Sequence, residues 1–459
     1  MKEIKRQLQA QRKSLQTYFS AYKQVKLTAY ARLVRRDEMG REIWTEALQT
    51  AIDENPRVYI PIGKYFVDGS IVLPSNRQII ANRHAEICLV KGTKTLLLRS
   101  KYIIDGRYRT VQETEPRVRN VMIMGGIWAE ENERRLGYGQ SGTYDETHSI
   151  VGVNACMLFN GVDNLFLRNL TFRNIAEFGV QIGRVKNFEV KNVKFISCFC
   201  DGVHLNGDTQ NGLVENIKGN VGDDLVALNA YDWYRSTISN GSINRVVVSR
   251  VVSPKNARYK AFRLQPGVLP KEQGGIDCAI KNVLIDRVKG IKTFKLYLQT
   301  PRYFDAPDGT QVGKMENVRF ERVRVNLDGP IDRLPNYLEK DLVTGHMGAF
   351  ELGSNVNGLH FKNVRVKINL KDYPATAHWI TAGPKSCYLT RNGETYEIFD
   401  PYVKCEVDGI YGTNIRINGK KVRDIRARIY EVKFKNLYPA VYGDGVGYGV
   451  VKNVQSNNR

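Results

Sequence analysis

FGVQIG (178–183), DGVHLN (201–206) and DLVALN (224–229) are three copies of one pattern, each beginning 23 residues after the last. Val180, Val203 and Val226 share one position, and Ile182, Leu205 and Leu228 share another. Aliphatic residues two apart follow strand periodicity, so these columns point into a core. The residues between them, Gln181, His204 and Ala227, point away from it. A short strand that recurs with a period in the twenties predicts a solenoid of stacked coils.

The pattern extends in both directions. NVMIMGGIW (120–128), NLFLRNLTFRN (164–174), NFEVKNVKFIS (187–197), GLVENIKGN (212–220), NVLIDRVKG (282–290), NVRFERVRV (317–325) and GLHFKNVRV (358–366) supply the other half of each coil. FRLQ (262–265), LYLQ (296–299) and FELG (350–353) continue the first half, with Arg263, Tyr297 and Glu351 outward. The steps are now 36, 34 and 54 residues, so loops are inserted, among them 231–244 and 301–313. Tyr231, Trp233, Tyr234, Arg235, Arg302 and Tyr303 fall in these loops and are suited to stacking on sugar rings and gripping anions. Loops of this length on a solenoid face are expected to wall a groove into a pocket, which favours exo cleavage. Asn206 and Asn229 stack by the same arithmetic and read as an asparagine ladder.

The fold class expected is all-β: a right-handed, single-stranded parallel β-helix with an N-terminal helical segment. Residues 2–36 read as helical from the stripe Ile4, Leu8, Leu15 and Tyr18, and 42–54 as a second helix. The division expected is a helical segment at 1–40 and a β-helix catalytic domain at 41–459.

The 459 residues carry 69 Lys and Arg against 47 Asp and Glu, a net charge of +22, which favours a polyanionic partner. No nucleic-acid recognition module is visible, so an acidic saccharide is the expected partner. No run approaches the roughly 18 apolar residues of a membrane span. The basic start MKEIKRQLQAQRKSLQ has no apolar stretch behind it, which predicts a cytoplasmic protein, or a secreted one if a leader has been removed. The seven cysteines form no CxxC pair or zinc framework and read as reduced, buried thiols. No metal or cofactor is expected.

The chemistry falls in DGVHLNG (201–207) and VGDDLVALNA (221–230). The 23-residue step sets Asp201 beside Asp224 on strands about 4.8 Å apart. Asp223 joins them if the chain turns at Gly222. Three carboxylates this close repel one another, so at least one is expected to hold its proton near neutral pH. A protonated acid beside an ionised base is what glycosidic cleavage needs. Aspartates at strand ends also cap turns or bind calcium. An outward column that adds His204, Arg263 and Tyr297 to the aspartates favours chemistry.

These residues resemble the family 28 glycoside hydrolases, the polygalacturonase group. That family carries Asn-Thr-Asp-Gly, then Gly-Asp-Asp one coil later, then Gly-His-Gly, Arg-Ile-Lys and a tyrosine. CDGVHLNG (200–207) and GDDLVALN (222–229) are similar to the first two, FRLQ stands where Arg-Ile-Lys is expected, and Tyr297 stands for the tyrosine. The resemblance implies an inverting hydrolase, with Asp223 as general acid and Asp201 and Asp224 activating water. It also implies sugar contacts from Arg263 and Tyr297, and the outward column adds Gln181, His204 and Glu351, with Arg302 from the loop. The chain departs from the pattern: no histidine follows Asp224 before His346, Gln265 replaces the lysine, and Cys200 replaces the threonine. The sugar, its linkage and the oligomeric state stay open. Two alternatives share the fold: a calcium-dependent polysaccharide lyase using Arg263 or Lys260 as base, and a non-enzymatic phage tail protein or adhesin.

Overall fold

The computed structural model describes residues 2–93, 95–102, 116–132, 155–232, 237–257, 259–297 and 311–327. Beyond these it describes 339–340, 348–369, 378–382, 386–391, 394–399, 406–421, 437–439 and 450–456. Strand dominates these residues. The part that positions the site comprises β1 (Ala155–Arg168), β2 (Phe178–Cys198), β3 (Val203–Asn206), β4 (Thr209–Val221) and β5 (Val226–Asn229). It continues through β6 (Ile243–Val252), β7 (Ala261–Gln265), β8 (Thr293–Tyr297) and β9 (Gly348–Gly353).

Each strand pairs in parallel with its equivalent one coil on: β1 with β2, β2 with β3, β3 with β5, β5 with β7, β7 with β8, and β8 with β9. A second face runs from β2 through β4 to β6. The chain is thus a stack of parallel coils, a parallel β-helix. Val180, Val203 and Val226 pair in one column and Ile182, Leu205 and Leu228 in the next, all fully buried. Burying each such side chain stabilises the stack by about 1.5–3 kcal/mol. Aromatic pairs continue the core, with Phe172 stacked on Phe195 at 5.1 Å and Phe294 on Phe350 at 4.9 Å.

The outward column reads Gln181, His204, Ala227, Arg263, Lys295, Glu351. Here the structure corrects the sequence reading: Lys295, not Tyr297, stands beside Arg263. Phe262 pairs with Phe294, so the match to FRLQ is FKLY (294–297), two residues earlier than LYLQ. Tyr297 lies two positions along the same strand, opposite Gly353.

The long strands turn corners at asparagines with left-handed backbone. Asn164, Asn187 and Asn211 (φ 64°, 59° and 56°) mark one corner, and Asn169, Asn192 and Asn216 (φ 58°, 57° and 59°) another. Asparagine tolerates this conformation better than other non-glycine residues. Its amide also self-pairs: Asn120 donates to Asn76 at 2.8 Å, Asn164 to Asn120 at 2.9 Å, and Asn187 to Asn164 at 3.2 Å. The asparagine ladder is therefore at the corners. Asn206 and Asn229 pair in register, but Asn206 donates to the Asn229 carbonyl and to Asp232 and so does not form a ladder.

The N-terminal helix is shorter than expected. Helix α1 (Lys2–Ser20) ends well before residue 36, Val25–Lys26 already pairs with the sheet, and Leu27–Leu33 is a 3-10 turn. Helix α2 (Thr45–Glu54) matches the expectation. α1 lies on the outside of the second face. Ile4 and Leu8 pack on Leu213, Val247 and Leu284, while Leu15 and Phe19 pack on Met122 and Phe166. Those sheet residues belong to one outward column that also holds Glu189. The helix's polar side is tied down as well, with Lys5 2.6 Å from Glu215 and Arg12 3.8 Å from Glu189. No helix among the described residues is long and apolar enough to cross a membrane.

Candidate functional site

The three aspartates meet. Asp201 sits in the short connection from β2 to β3, and Asp223 and Asp224 one coil on, where the chain bends at Gly222 and Asp223. The two connections are locked together. Asp224 donates its backbone N–H to Oδ1 of Asp201 at 2.8 Å, and Gly202 donates to the Asp224 carbonyl at 3.0 Å. Residue 202 must be glycine for space: a Cβ would fall 2.6 Å from the Leu225 carbonyl and 2.8 Å from the Phe195 ring. One oxygen of each of Asp201, Asp223 and Asp224 lies within 4.8 Å of the others.

Exposure separates the three. The side chains of Asp201 and Asp224 are 5% and 1% exposed, whereas that of Asp223 is 19% exposed. Burial and the neighbouring Asp223 push the Asp201 carboxyl up to about 6, against the opposing pull of His204 and Arg263. Burial drives the Asp224 carboxyl well above the usual carboxylate range, with Arg263 acting against it. Its Oδ1 is buried and accepts no hydrogen bond among the described residues.

Two cations hold the cluster. Nε of Arg263 lies 2.9 Å from Asp224, and its other end is 3.9 Å from Asp223. Burial works against the charge on Arg263, but the two aspartates keep it protonated. His204 lies behind Asp201, 1% exposed, with Nδ1 2.6 Å from Asp201 and Nε2 2.6 Å from Asp232. An imidazole with a carboxylate at each nitrogen is an imidazolium. Burial pulls its pKa down, but Asp232 and Asp201 carry it up to about 10. Phe178 stacks on its face at 4.3 Å. Asp232 also accepts from Asn206 and Asn229, both at 3.1 Å.

The remaining residues divide. Gln181 is fully buried and donates to Asn206 at 2.8 Å, so it braces the network out of reach of a sugar. Tyr297, 8% exposed, is close enough to Arg263 to act on its charge. Glu351 is 5% exposed and stands beside Lys295 in the column. Lys260 donates to the Lys255 carbonyl at 2.7 Å. Gln265 donates to the Tyr231 carbonyl at 3.0 Å, which supports the loop. Arg302 lies outside the described residues, as do Trp233, Tyr234, Arg235 and Tyr303.

The loop after β5 departs from the sequence reading. Tyr231 is 2% exposed within the main core, where no sugar could stack on it. Ile238 packs on Leu158 and Phe178, and Ser239 closes tightly over Gly183. The loop thus folds down on the coils before the aspartates and covers that end of the outward column.

No family model and no curated protein matches the sequence. Among solved structures, the chain is similar to a family 28 exopolygalacturonase of Yersinia enterocolitica. The two are 12% identical over 94% of this chain and 78% of that one, with a TM-score of 0.49. A tailspike protein mutant of E. coli bacteriophage HK620 is 13% identical over 86% and 61%, with a TM-score of 0.49. The catalytic unit of a GH87 α-1,3-glucanase from Streptomyces thermodiastaticus is 12% identical over 95% and 68%, with a TM-score of 0.44. At such identities none of them transfers an activity to this chain.

Two site residues escaped the sequence. Lys295 is 1% exposed, lies 5.5 Å from the Tyr259 ring and favours the ionised form of Asp224. Its signal was the aromatic at Phe294, which matches Phe262 better than Leu296 does. Asp232 left no signal beyond following β5 by three residues, because a loop residue has no periodicity to betray its direction.

Proposed function

We propose that this chain is an inverting glycoside hydrolase on a right-handed parallel β-helix, acting on chain ends of an oligosaccharide. The chirality of parallel crossovers supports the right-handed coil. One observation carries the chemistry: a partly exposed Asp223 backed by two buried aspartates whose carboxyls are raised, with Arg263 and an imidazolium as fixed counter-charges. Asp223 gives its proton to the glycosidic oxygen as the bond to the anomeric carbon breaks. Water attacks that carbon and passes a proton to Asp201, which is ionised above about pH 6.

Burial also bears on stereochemistry. A retaining enzyme needs two carboxylates in contact with the sugar, one of them to bond the anomeric carbon. Asp201 and Asp224 are too deep to bond it and can act only through a water. The 4.8 Å cluster is tighter than the roughly 6.5–9.5 Å of most inverting pairs, so inversion requires Asp201 to present the water to the face of the sugar opposite the leaving oxygen. Ile238 and Ser239, packed on Leu158 and Gly183, close one end of the outward column, which favours a pocket over an open groove.

The test is a screen of neutral and acidic oligosaccharides read by reducing ends, with Asp223→Asn as the control. The amide cannot supply the proton, so turnover should drop by about 100-fold or more while the melting temperature holds. Full activity in a folded Asp223→Asn protein would remove the acid assignment. Monosaccharide release from the first minutes supports the pocket, and a spread of product lengths would show an open groove.

A further inference from the structure

At one corner of the coil the asparagine series is interrupted. After Asn169, Asn192 and Asn216, three successive coils carry Arg250, Arg287 and Arg322 in the same left-handed conformation (φ 59°, 55° and 54°) before asparagine returns at Asn363 and Asn414. Arginine has none of asparagine's local reason to adopt that backbone. Just past this corner Arg324, Arg365 and Arg416 stack in register on adjacent strands. All six are exposed, and together they line a cleft of about 570 Å³.

The charge in the cleft is poorly answered from within. Asp286 takes Arg287 at 2.8 Å and Arg322 at 2.7 Å. Arg250, Arg324, Arg365 and Arg416 have no acidic partner among the described residues. In the aspartate coil this corner is Asn216, seven residues before Asp223, and none of the residues lining the cleft belongs to the aspartate cluster. Stacking like charges about 4.8 Å apart is unfavourable unless an anion of similar repeat is shared among them.

We infer that this cleft binds a linear polyuronate, a polysaccharide with one carboxylate per sugar ring, laid along the coil axis. The planar guanidinium fork matches a carboxylate two bonds at a time. One arginine row per coil suits an anion on every ring. No aromatic ring lines the cleft among the described residues, whereas single-stranded nucleic acid is held largely by base stacking.

The test is fluorescence anisotropy of a labelled polygalacturonate oligomer titrated with the full chain. The triple variant Arg324→Gln, Arg365→Gln, Arg416→Gln should weaken binding by about tenfold or more, and the carboxyl-reduced oligomer should bind the parent as weakly. The matching triple lysine variant keeps the charge without the fork and should regain only part of the affinity, and an unchanged melting temperature in the glutamine variant excludes a folding defect. Undiminished binding in the glutamine variant would place the contact at the aspartate site and overturn the inference. Tighter binding of single-stranded DNA of equal charge would overturn it in favour of nucleic acid.

Discussion

His204 and Asp201 are joined at 2.6 Å, and the histidine is 1% exposed where the Asp223 side chain is 19% exposed. The histidine therefore acts through Asp201: it sets the direction and charge of that carboxylate and is a positioning residue. Its second bond to Asp232 makes the arrangement sensitive to alkali.

The imidazole keeps its proton up to about pH 10 in the fold but only to 6.5 when free. A raised pKa adds stability in full below the unfolded value and loses it as pH climbs through the folded one. The melting temperature should therefore fall between pH 6.5 and 10. Asp232→Asn removes one of the two carboxylates, so its slope over that window should be shallower. Equal slopes in thermal melts of both proteins would contradict the imidazolium. Activity should fall separately as pH drops below about 6, where Asp201 takes up a proton.

Arg263 supplies in place the positive charge that a metal would otherwise bring to the aspartates. Turnover should be indifferent to EDTA. Arg263→Ala should cost about 3–5 kcal/mol of stability by leaving Asp224 without its cation, and about 100-fold or more in kcat. Loss of wild-type activity on chelation, restored by calcium, would favour the lyase.

The depth of Asp201 and Asp224 predicts the product's first anomer. Proton NMR of fresh product should show inversion before mutarotation sets in. Retention would mean that one of the buried carboxylates reaches the anomeric carbon after all.

Phe19 is fully buried between Leu15, Met122 and Phe166. Phe19→Ala should cost about 3–5 kcal/mol. Met39→Ala, at a residue 76% exposed, should stay within about 0.5 kcal/mol. Urea midpoints of the two variants make the comparison. A Phe19→Ala protein as stable as the parent would mean that the helix contributes little.

The sequence was legible wherever coils follow one another without insertion. Val180, Val203 and Val226 fell into register because 23 residues separate each pair, and the meeting of Asp201 with Asp224 followed from the same step. After Arg263 the spacing no longer fixes register, and a choice between two alignments two residues apart placed Tyr297 where Lys295 stands. The alternation still assigned the correct face, because an even slip preserves it. The alternation marks Gln181 and His204 as outward, yet both are buried: Gln181 bonds Asn206, and His204 lies between Phe178 and Asp232, a loop residue that periodicity cannot aim. The helix was overdrawn because charged residues at helical spacing continue past Ser20, while strand pairing at Val25 depends on a partner 33 residues on.

From Ile4 to Phe19 helix α1 runs about 22 Å. The six strands from Met122 to Leu284 that it crosses span about 24 Å. In a plain solenoid each coil answers only to its neighbours, and unfolding can fray inward from either end. A rod fastened along six successive coils removes that freedom. The stretch it covers should open as one cooperative block or not at all, so the aspartates, which lie within that stretch, are shielded from the fraying that erodes the ends of such a stack.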